Sequence, residues 1–237
     1  MTVGVLATPG SPLLGYTLRA LLEEGVPIGG VLLDSKGVSE KDINIWNERT
    51  NNHLPVIELE TFADAMIPFY FVESHNSQSA VKLVRKLGLN LLVNGGTPRI
   101  LKSEILNAAQ TGILNIHPGK LPDYRGCTCL EWAVYNNEQV YNTVHYMTED
   151  IDAGKVIMEE PYEFSSSDDY VDVRVKVYLG GFSLLARAAN CILKNESLHS
   201  HQKFPGKEGR YYKPISDDLL DVVKKKLVSG NYKYQTG

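Results

Sequence analysis

Cysteine, positive charge and long apolar runs are all scarce in this sequence of 237 residues. Its three cysteines are few and odd in number, so we expect no disulfide framework and a reducing compartment. The formal net charge of -4 provides no basic surface of the kind that binds nucleic acid. No apolar run approaches the roughly 20 residues that span a bilayer, and no targeting signal is evident. These absences predict a cytoplasmic protein that binds neither nucleic acid nor membrane.

The sequence does contain an alternation of short apolar runs with helical stripes. Val3–Ala7, Ile28–Leu33 and Leu89–Val93 predict strands that are buried on both faces, as in a parallel sheet. Leucines at helical spacing follow the first run, and Gly25 ends that helix, which completes a βαβ unit. Residues 169–193 predict one long helix with an apolar inner face. The pattern indicates an α/β fold.

The composition changes near residue 200. Residues 201–212 are polar and aromatic, which predicts an irregular surface arm, and a helix is expected after Pro214. The aromatic residues of the arm either anchor it, which is their commoner role, or stack on a base or sugar; they are Phe204, Tyr211 and Tyr212. We therefore expect a catalytic domain over residues 1–199 and an arm with a helix over residues 200–237.

The most informative segment runs from Leu114 to Gly126, where a predicted strand ends. Asn115 and His117 are two residues apart, so they project from the same face of that strand. Open α/β sheets bind ligands at the carboxyl ends of their strands. Taken singly, each residue is more often structural, with backbone partners inside the fold. Their spacing, and the Pro-Gly and Leu-Pro-x-Tyr-Arg-Gly runs that follow, favour a catalytic role.

A second segment, from Met147 to Gly154, carries several acidic residues on a loop between two predicted strands. Glu149 fits a solvated acidic turn. Asp152 differs, because Ile151 before it gives the loop an apolar side chain to bury. Asp152 is therefore the candidate functional acid of this loop.

These motifs together resemble the folate-dependent formyltransferase family: Asn-x-His-Pro at 115–118, Leu-Pro-x-Tyr-Arg-Gly at 121–126 and Asp-Ile-Asp-Ala-Gly at 150–154. That family includes methionyl-tRNA formyltransferases, glycinamide ribonucleotide formyltransferases and the N-formyltransferases of nucleotide-linked amino sugars. The likeness extends from Met1 to about Leu193. It implies a Rossmann-like, mostly parallel sheet flanked by helices. It also implies metal-free transfer of a formyl group from N10-formyltetrahydrofolate to a primary amine.

The resemblance implies three catalytic residues. Attack of an amine on the formyl carbon gives a tetrahedral oxyanion, which needs donors placed where its charge develops. By similarity, Asn115 holds this oxyanion, and His117 stabilises it and helps to move protons. Asp152 positions both residues and polarises the amine, as part of a general acid–base pair.

The resemblance also implies two binding regions. The folate is expected to contact Arg99, Leu101, Thr148, Asp150 and Ile151, although Arg99 is equally well explained as a plain surface residue. The acceptor is expected to contact Pro9, Gly10, Tyr124, Arg125 and Gly126.

The acceptor follows by elimination. About forty residues after the long helix are too few for the further domain with which the tRNA enzymes hold tRNA. Residues 7–11 lack the glycine-rich phosphate loop expected for glycinamide ribonucleotide. A small-molecule acceptor, a nucleotide-linked amino-deoxy sugar, is therefore favoured. The alternatives are a glycinamide ribonucleotide-type or other small amine, a formyltetrahydrofolate hydrolase, and an idle binding module, against which the three intact catalytic residues argue. Homodimer formation is left open.

Overall fold

The structure, a computed structural model, describes residues 2–196 and 209–236. Strands and helices alternate through its first half, as the apolar runs predict. In chain order they are β1 (Thr2–Ala7), α1 (Leu14–Glu23), β2 (Ile28–Asp34), α2 (Glu40–Arg49), β3 (Phe69–Val72), α3 (Gln78–Lys86), β4 (Leu89–Asn94), α4 (Ser103–Leu106) and β5 (Gly112–His117). A 3-10 helix over Leu59–Ala65 precedes β3 and was not expected from the sequence.

The second half is more irregular and contains several very short strands. In chain order its elements are β6 (Tyr124–Gly126), α5 (Cys129–Tyr135), β7 (Tyr141–Tyr146), β8 (Val156–Pro161), β9 (Phe164–Ser165), α6 (Tyr170–Leu193), β10 (Arg210–Tyr212), α7 (Asp217–Val228) and β11 (Gln235–Thr236). Within the described residues, no helix combines the length and the apolar character needed to cross a membrane.

Seven strands form the central sheet, in the order β3-β2-β1-β4-β5-β7-β8. Neighbours from β3 to β5 run parallel, whereas β7 runs antiparallel to both β5 and β8. The predicted α/β fold with a mostly parallel sheet is therefore confirmed. The strand order reverses at β1, which lies between β2 and β4. The carboxyl ends of these strands border the kind of crevice in which open sheets bind ligands.

Both faces of the sheet are covered by helices because the central strands are apolar on both faces. Successive side chains of a strand point to opposite faces. Val5 therefore packs with residues of α1 and α6, while its neighbour Leu6 packs with residues of α3 and α4. Both side chains are fully buried. The flanking helical layers are those that the sequence predicts.

The long helix α6 is stabilised at its start by Asp169. The Asp169 carboxylate accepts the backbone N–H groups of Val171 and Asp172, and the Asp172 side chain accepts the N–H of Asp169 in return. The middle of α6 contacts β5 and β7. One helix thereby spans the region where the informative motif leaves the sheet.

The C-terminal segment differs from the expected irregular arm. Arg210–Tyr212 form strand β10, which pairs in parallel with β6. Tyr212 stacks on Tyr124 with the ring centroids 4.9 Å apart. Such short pairings depend on tertiary contacts, so the local sequence carries no strand pattern there. The preceding part of the expected arm, including Phe204, lies outside the described residues.

Helix α7 packs against α5 and α6 through buried apolar side chains. These side chains are Leu220, Val223 and Leu227, and they share one cluster with Tyr124 and Tyr212. The terminal strand β11 pairs with β9 beside this cluster. The division of the chain near residue 199 stays a prediction.

Candidate active site

Polar side chains from three neighbouring strands meet beside Asn115. Asn115 and His117 lie at the end of β5, two residues apart as the motif requires. The register of the antiparallel strand β7 places His145 directly opposite Asn115. Asn94, the last residue of β4, bonds to Asn115 from the other side. The sheet therefore gathers four polar side chains at the ends of three adjacent strands.

The orientation of the Asn115 amide is fixed by its neighbours. The Asn94 side-chain oxygen accepts the backbone N–H groups of Gly96 and Thr97, at 3.0 and 2.8 Å. Asn94 must therefore donate its Nδ2 group to Asn115 Oδ1, 2.8 Å away. Asn115 Nδ2 then faces His145 Nε2 at 3.1 Å. Since an amide nitrogen carries two N–H groups, Asn115 retains one donor for a ligand.

His145 is buried, and its two ring nitrogens are in the tautomer that accepts a hydrogen bond from Asn115. Its Nδ1 lies 2.9 Å from the carbonyl oxygen of Tyr146, so Nδ1 carries the proton and donates. Nε2 is then bare and accepts from Asn115. Burial lowers the pKa of His145 to about 4, although the nearby Asp152 carboxylate opposes this shift. At neutral pH the imidazole is therefore neutral, which keeps Asn115 as the donor.

We expect the free energy of unfolding to fall as the pH falls from about 6.5 towards about 4. The folded pKa of His145 lies below its unfolded value, so the unfolded chain binds more protons in that window. The loss should reach about 1–3 kcal/mol, because one pKa unit corresponds to about 1.4 kcal/mol. Urea unfolding of the parent and His145→Gln across this range measures it. The glutamine variant should show a flatter dependence, and parallel curves for the two proteins would contradict the assignment.

Asp152 lies between two imidazoles on the loop that joins β7 to β8. Its backbone is left-handed, with φ of 51°, a conformation that aspartate tolerates better than most residues. Its Oδ2 accepts the backbone N–H of Gly126 at 2.9 Å and lies 3.5 Å from His117 Nδ1. Its Oδ1 lies 3.6 Å from His145 Nε2. The carboxylate is thus hydrogen-bonded to β6 and lies close to the imidazoles of the motif strand and of β7.

The imidazole of His117 packs beside the Asp152 carboxylate. Its Nε2 lies 2.7 Å from the carbonyl oxygen of Tyr124, so this nitrogen donates and Nδ1 faces the carboxylate. The ring is 4% exposed. Two cavities, of about 100 and about 700 Å³, lie beside Asn115, and the His117 ring borders neither of them. Its contacts place it beside Asp152 and against the backbone of Tyr124. The expected role of His117 at the oxyanion stays a prediction.

A small cavity of about 100 Å³ lies on one side of Asn115. All five residues expected to contact folate border it, namely Arg99, Leu101, Thr148, Asp150 and Ile151. Asn115, His145 and Asp152 border the same space. The structure therefore brings the expected donor region together with two of the three expected catalytic residues.

A larger cavity of about 700 Å³ lies on the other side of Asn115. Its walls come from the loops after β1, β2 and β4, from Ile116 and Pro118 beside the motif, and from the middle of α6. Trp46 and Tyr178 meet edge to face in its wall, with ring centroids 4.9 Å apart. Among the residues that border these two cavities, Asn115 is the one that borders both.

Comparison with protein-family models matches residues 35–188, well over half of the chain, to the family described as Formyl transferase. The chain belongs to the formyl transferase family. The chain is 32% identical over 117 residues to the methionyl-tRNA formyltransferase of Borrelia duttonii, a match that covers 49% of this chain and 38% of that one. The match to the Fusobacterium nucleatum methionyl-tRNA formyltransferase is 27% identical, and covers 61% of this chain and 46% of that one. The aligned region thus spans less than half the length of these relatives.

Solved structures confirm the fold. Glycinamide ribonucleotide transformylase 1 from Symbiobacterium toebii superposes with a TM-score of 0.64 at 18% identity, covering 88% of this chain and 94% of that one. A sugar N-formyltransferase from Shewanella sp. FDAARGOS_354 gives a TM-score of 0.60 at 18% identity, covering 96% and 88%. At these identities the likeness establishes the fold alone.

The residues expected to bind the acceptor do not border the large cavity. Pro9 and Gly10 border a separate pocket of about 180 Å³ beside the exposed Phe71. The Tyr124 ring is buried against Tyr212, and its carbonyl oxygen accepts from His117. Gly126 supplies the N–H that holds Asp152. Arg125, between them on β6, is likewise absent from the walls of both cavities.

Two polar residues of the site were missed by the sequence reasoning. His145 occupies a strand position where a histidine is more often structural, and only the β5–β7 register shows that it faces Asn115. Asn94 directly follows the apolar run Leu89–Val93, and its side chain orients Asn115. The position of Asn94 at the end of a buried strand was the sequence feature that could have indicated its role.

Arg99 is held by Asp34, although it borders the small cavity. Its Nε and Nη2 donate to the two carboxylate oxygens of Asp34 at 2.6 and 2.8 Å. Neither a plain surface arginine nor a free ligand-binding arginine describes this bidentate pair. The pair fixes one wall of the small cavity.

Proposed function

We propose that the protein transfers a formyl group from N10-formyltetrahydrofolate to a primary amine held in the large cavity. The observation that carries this proposal is the position of Asn115 between the two cavities. Group transfer needs two ligands whose reacting atoms meet at one donor group. Asn115 borders both cavities and has one amide N–H available for a ligand, so it meets that requirement.

The small cavity suits the reacting end of the folate. Its apolar side chains include Leu101 and Ile151, and Ile100 and Ile151 are largely exposed at its margin. A planar ring gains free energy by covering such apolar surface. The formyl group would then lie near Asn115 and Asp152, which border the same space.

The proposed transfer uses Asn115 and Asp152, which border this space. The neutral amine forms a bond to the formyl carbon, and the formyl oxygen takes the negative charge beside the free N–H of Asn115. Asp152 accepts the proton that the attacking nitrogen loses, and a proton returned to the folate nitrogen lets it leave as the C–N bond breaks. His117 lies beside Asp152, with its Nδ1 3.5 Å from Oδ2. His145 keeps the Asn115 amide in the donating orientation.

The acceptor that the large cavity supports best is an amino-deoxy sugar, carried on a nucleotide. One wall is apolar, with Trp46, Tyr178 and Phe182, and suits a sugar ring with its methyl group. The opposing hydroxyl and amide side chains, such as Ser11 and Asn142, suit its hydroxyl groups. Lys36 is the cation on this lining, so a single charge there would meet a phosphate. A solved sugar N-formyltransferase covers 96% of the chain, which agrees with this choice.

Water is the second candidate acceptor, because a formyltetrahydrofolate deformylase from Pseudomonas syringae shares the fold with a TM-score of 0.58. A hydrolase has no use for a second organic ligand, whereas the cavity of about 700 Å³ next to Asn115 can hold one. The size of this cavity therefore favours an amine acceptor over water.

An acceptor screen with N10-formyltetrahydrofolate tests the proposal. Release of tetrahydrofolate is followed with amino-sugar nucleotides, glycinamide ribonucleotide, methionyl-tRNA or no added amine. We expect turnover with an amino-sugar nucleotide, and competitive inhibition by its free nucleoside diphosphate, because remote binding energy holds the amine in line. Turnover confined to glycinamide ribonucleotide or methionyl-tRNA would replace this acceptor, and equal turnover without any amine would identify a hydrolase.

A further inference from the structure

A chain of hydrogen bonds leads from the buried Asp34 to Asn115 and includes neither His117 nor Asp152. Asp34 is fully buried at the end of β2, and its two oxygens accept four N–H groups. Two come from the backbone of Lys36 and His75, and two from the Arg99 guanidinium. The Arg99 pairing lowers the pKa of this carboxyl against the opposing effect of burial. Asp34 therefore joins the loops that follow β2, β3 and β4.

His75 is the next member of the chain and is also fully buried. Its Nε2 lies 2.9 Å from the carbonyl oxygen of Leu32, so this nitrogen carries the proton and donates. Nδ1 is then bare and accepts the hydroxyl proton of Thr97 at 2.6 Å. Burial lowers the pKa of His75, which favours this neutral form. The imidazole thereby fixes the Thr97 side chain in one direction.

Thr97 also takes part in the hydrogen bonds that orient Asn115. Its backbone N–H and that of Gly96 both donate to Asn94 Oδ1, and Asn94 Nδ2 donates to Asn115 Oδ1. The amide of Asn115 thus has its orientation set through Asn94 by the turn over residues 94–97. Thr97 borders the large cavity, so the turn also forms part of the acceptor wall.

We propose that His75, held by Asp34, is a positioning residue for formyl transfer: it fixes the turn over residues 94–97 and through it the Asn115 amide. This inference rests on the proposed function. His75 touches neither cavity and acts only through Thr97 and Asn94. An oxyanion donor that is free to rotate loses most of its value, because the site must then reorganise during the reaction.

Two substitutions at His75 separate its two hydrogen bonds. In His75→Asn the side-chain oxygen occupies the place of Nδ1 and can still accept from Thr97, whereas the bond to Leu32 is lost. In His75→Gln the side-chain nitrogen occupies the place of Nε2 and can still donate to Leu32, whereas the bond to Thr97 is lost. Both variants lose one buried hydrogen bond, so we expect similar decreases in melting temperature.

Turnover should distinguish His75→Gln from His75→Asn. We expect kcat of His75→Gln to fall about ten- to a hundredfold, the effect of a small misplacement at a reacting centre. The kcat of His75→Asn should stay within about threefold of the parent, since a factor of three is under 1 kcal/mol. KM for the folate should change little in either variant. Equal kcat values for the two variants, or kcat values that follow melting temperature, would overturn the proposal.

Thr97 provides an independent variant at the other end of the same bond. Thr97→Val removes the hydroxyl without changing side-chain shape, and should lower kcat as His75→Gln does. Thr97→Ser keeps the hydroxyl and should lower kcat less than Thr97→Val does. The double variant should lose no more than either single one, because both remove one interaction. Additive losses would show two independent roles. Thr17→Val is the matched control, since its buried hydroxyl donates to the Leu13 carbonyl at 2.9 Å, and its kcat should not change.

The tautomer of His75 gives a readout that needs no turnover. Nitrogen-15 shifts of the imidazole in the parent should show a protonated Nε2 and a bare Nδ1, and Thr97→Val should move the Nδ1 shift. A doubly protonated His75 at neutral pH would overturn the proposal. If the shifts agree but the parent transfers no formyl group to any acceptor, the proposed function fails while the hydrogen-bond chain stands.

Discussion

Replacing Asp152 by asparagine is expected to lower turnover by about a hundred- to ten-thousandfold while the protein stays folded. The asparagine side chain cannot take a proton from the attacking amine. Its oxygen can still accept the backbone N–H of Gly126, which lies 2.9 Å from the carboxylate. Asparagine also adopts the left-handed backbone at this position, where φ is 51°, with little strain. The variant therefore separates proton transfer from structural support.

Steady-state release of tetrahydrofolate with the acceptor found by screening measures this loss, and thermal unfolding checks the fold. Asp123→Asn is a suitable control, because Asp123 is an exposed acid just before β6. Its kcat should stay within about twofold of the parent, as for most surface substitutions. A folded Asp152→Asn protein with nearly parental turnover would remove Asp152 from the proton-transfer step.

Removing the amide of Asn115 is expected to lower kcat by about a hundred- to a thousandfold, the usual effect of losing one oxyanion donor. Asn115→Ala deletes the group that borders both cavities and leaves His145 and Asn94 without their shared partner. KM for the folate should change much less than kcat, because the donor acts mainly in the transition state.

Asn90→Ala provides the matched asparagine control for this experiment. Asn90 lies near the start of β4, at the opposite end of the strand from Asn94, and its amide bonds only weakly to Gln110 at 3.3 Å. We expect parental kinetics within about twofold for Asn90→Ala. If Asn115→Ala raises KM tenfold at unchanged kcat, the residue binds ligand but does not stabilise the oxyanion.

The parts of the fold that the sequence predicts are those with a repeating local pattern. β1 is apolar at every position that the sheet buries, and so is β2 up to its last residue, Asp34. Helix α6 carries a capping acid at Asp169 and an apolar face. The spacing of Asn115 and His117 likewise needs only the period of a strand. Each of these predictions uses residues within a few positions of each other, and each is confirmed as a structural element.

The parts that sequence does not reveal depend on contacts between distant segments. Arg99 can pair with Asp34, and His145 can contact Asn115, only once the strands lie in their final order in the sheet. Tyr124, which was expected to contact the acceptor, instead packs in the C-terminal cluster, where its ring stacks on Tyr212. No local pattern encodes these pairings, since each partner alone is an ordinary polar or aromatic residue.

The pairing of β6 with β10 has a consequence for biosynthesis. Gly126, which anchors Asp152, lies on β6, and β6 is held in register by Arg210–Tyr212, far later in the chain. A chain that emerges from the ribosome with its motif strand complete still lacks the segment that steadies the carboxylate. Closing so long a loop is entropically costly and comes late. Catalytic competence should therefore appear only after the last helix has docked, so a truncated translation product would be inert.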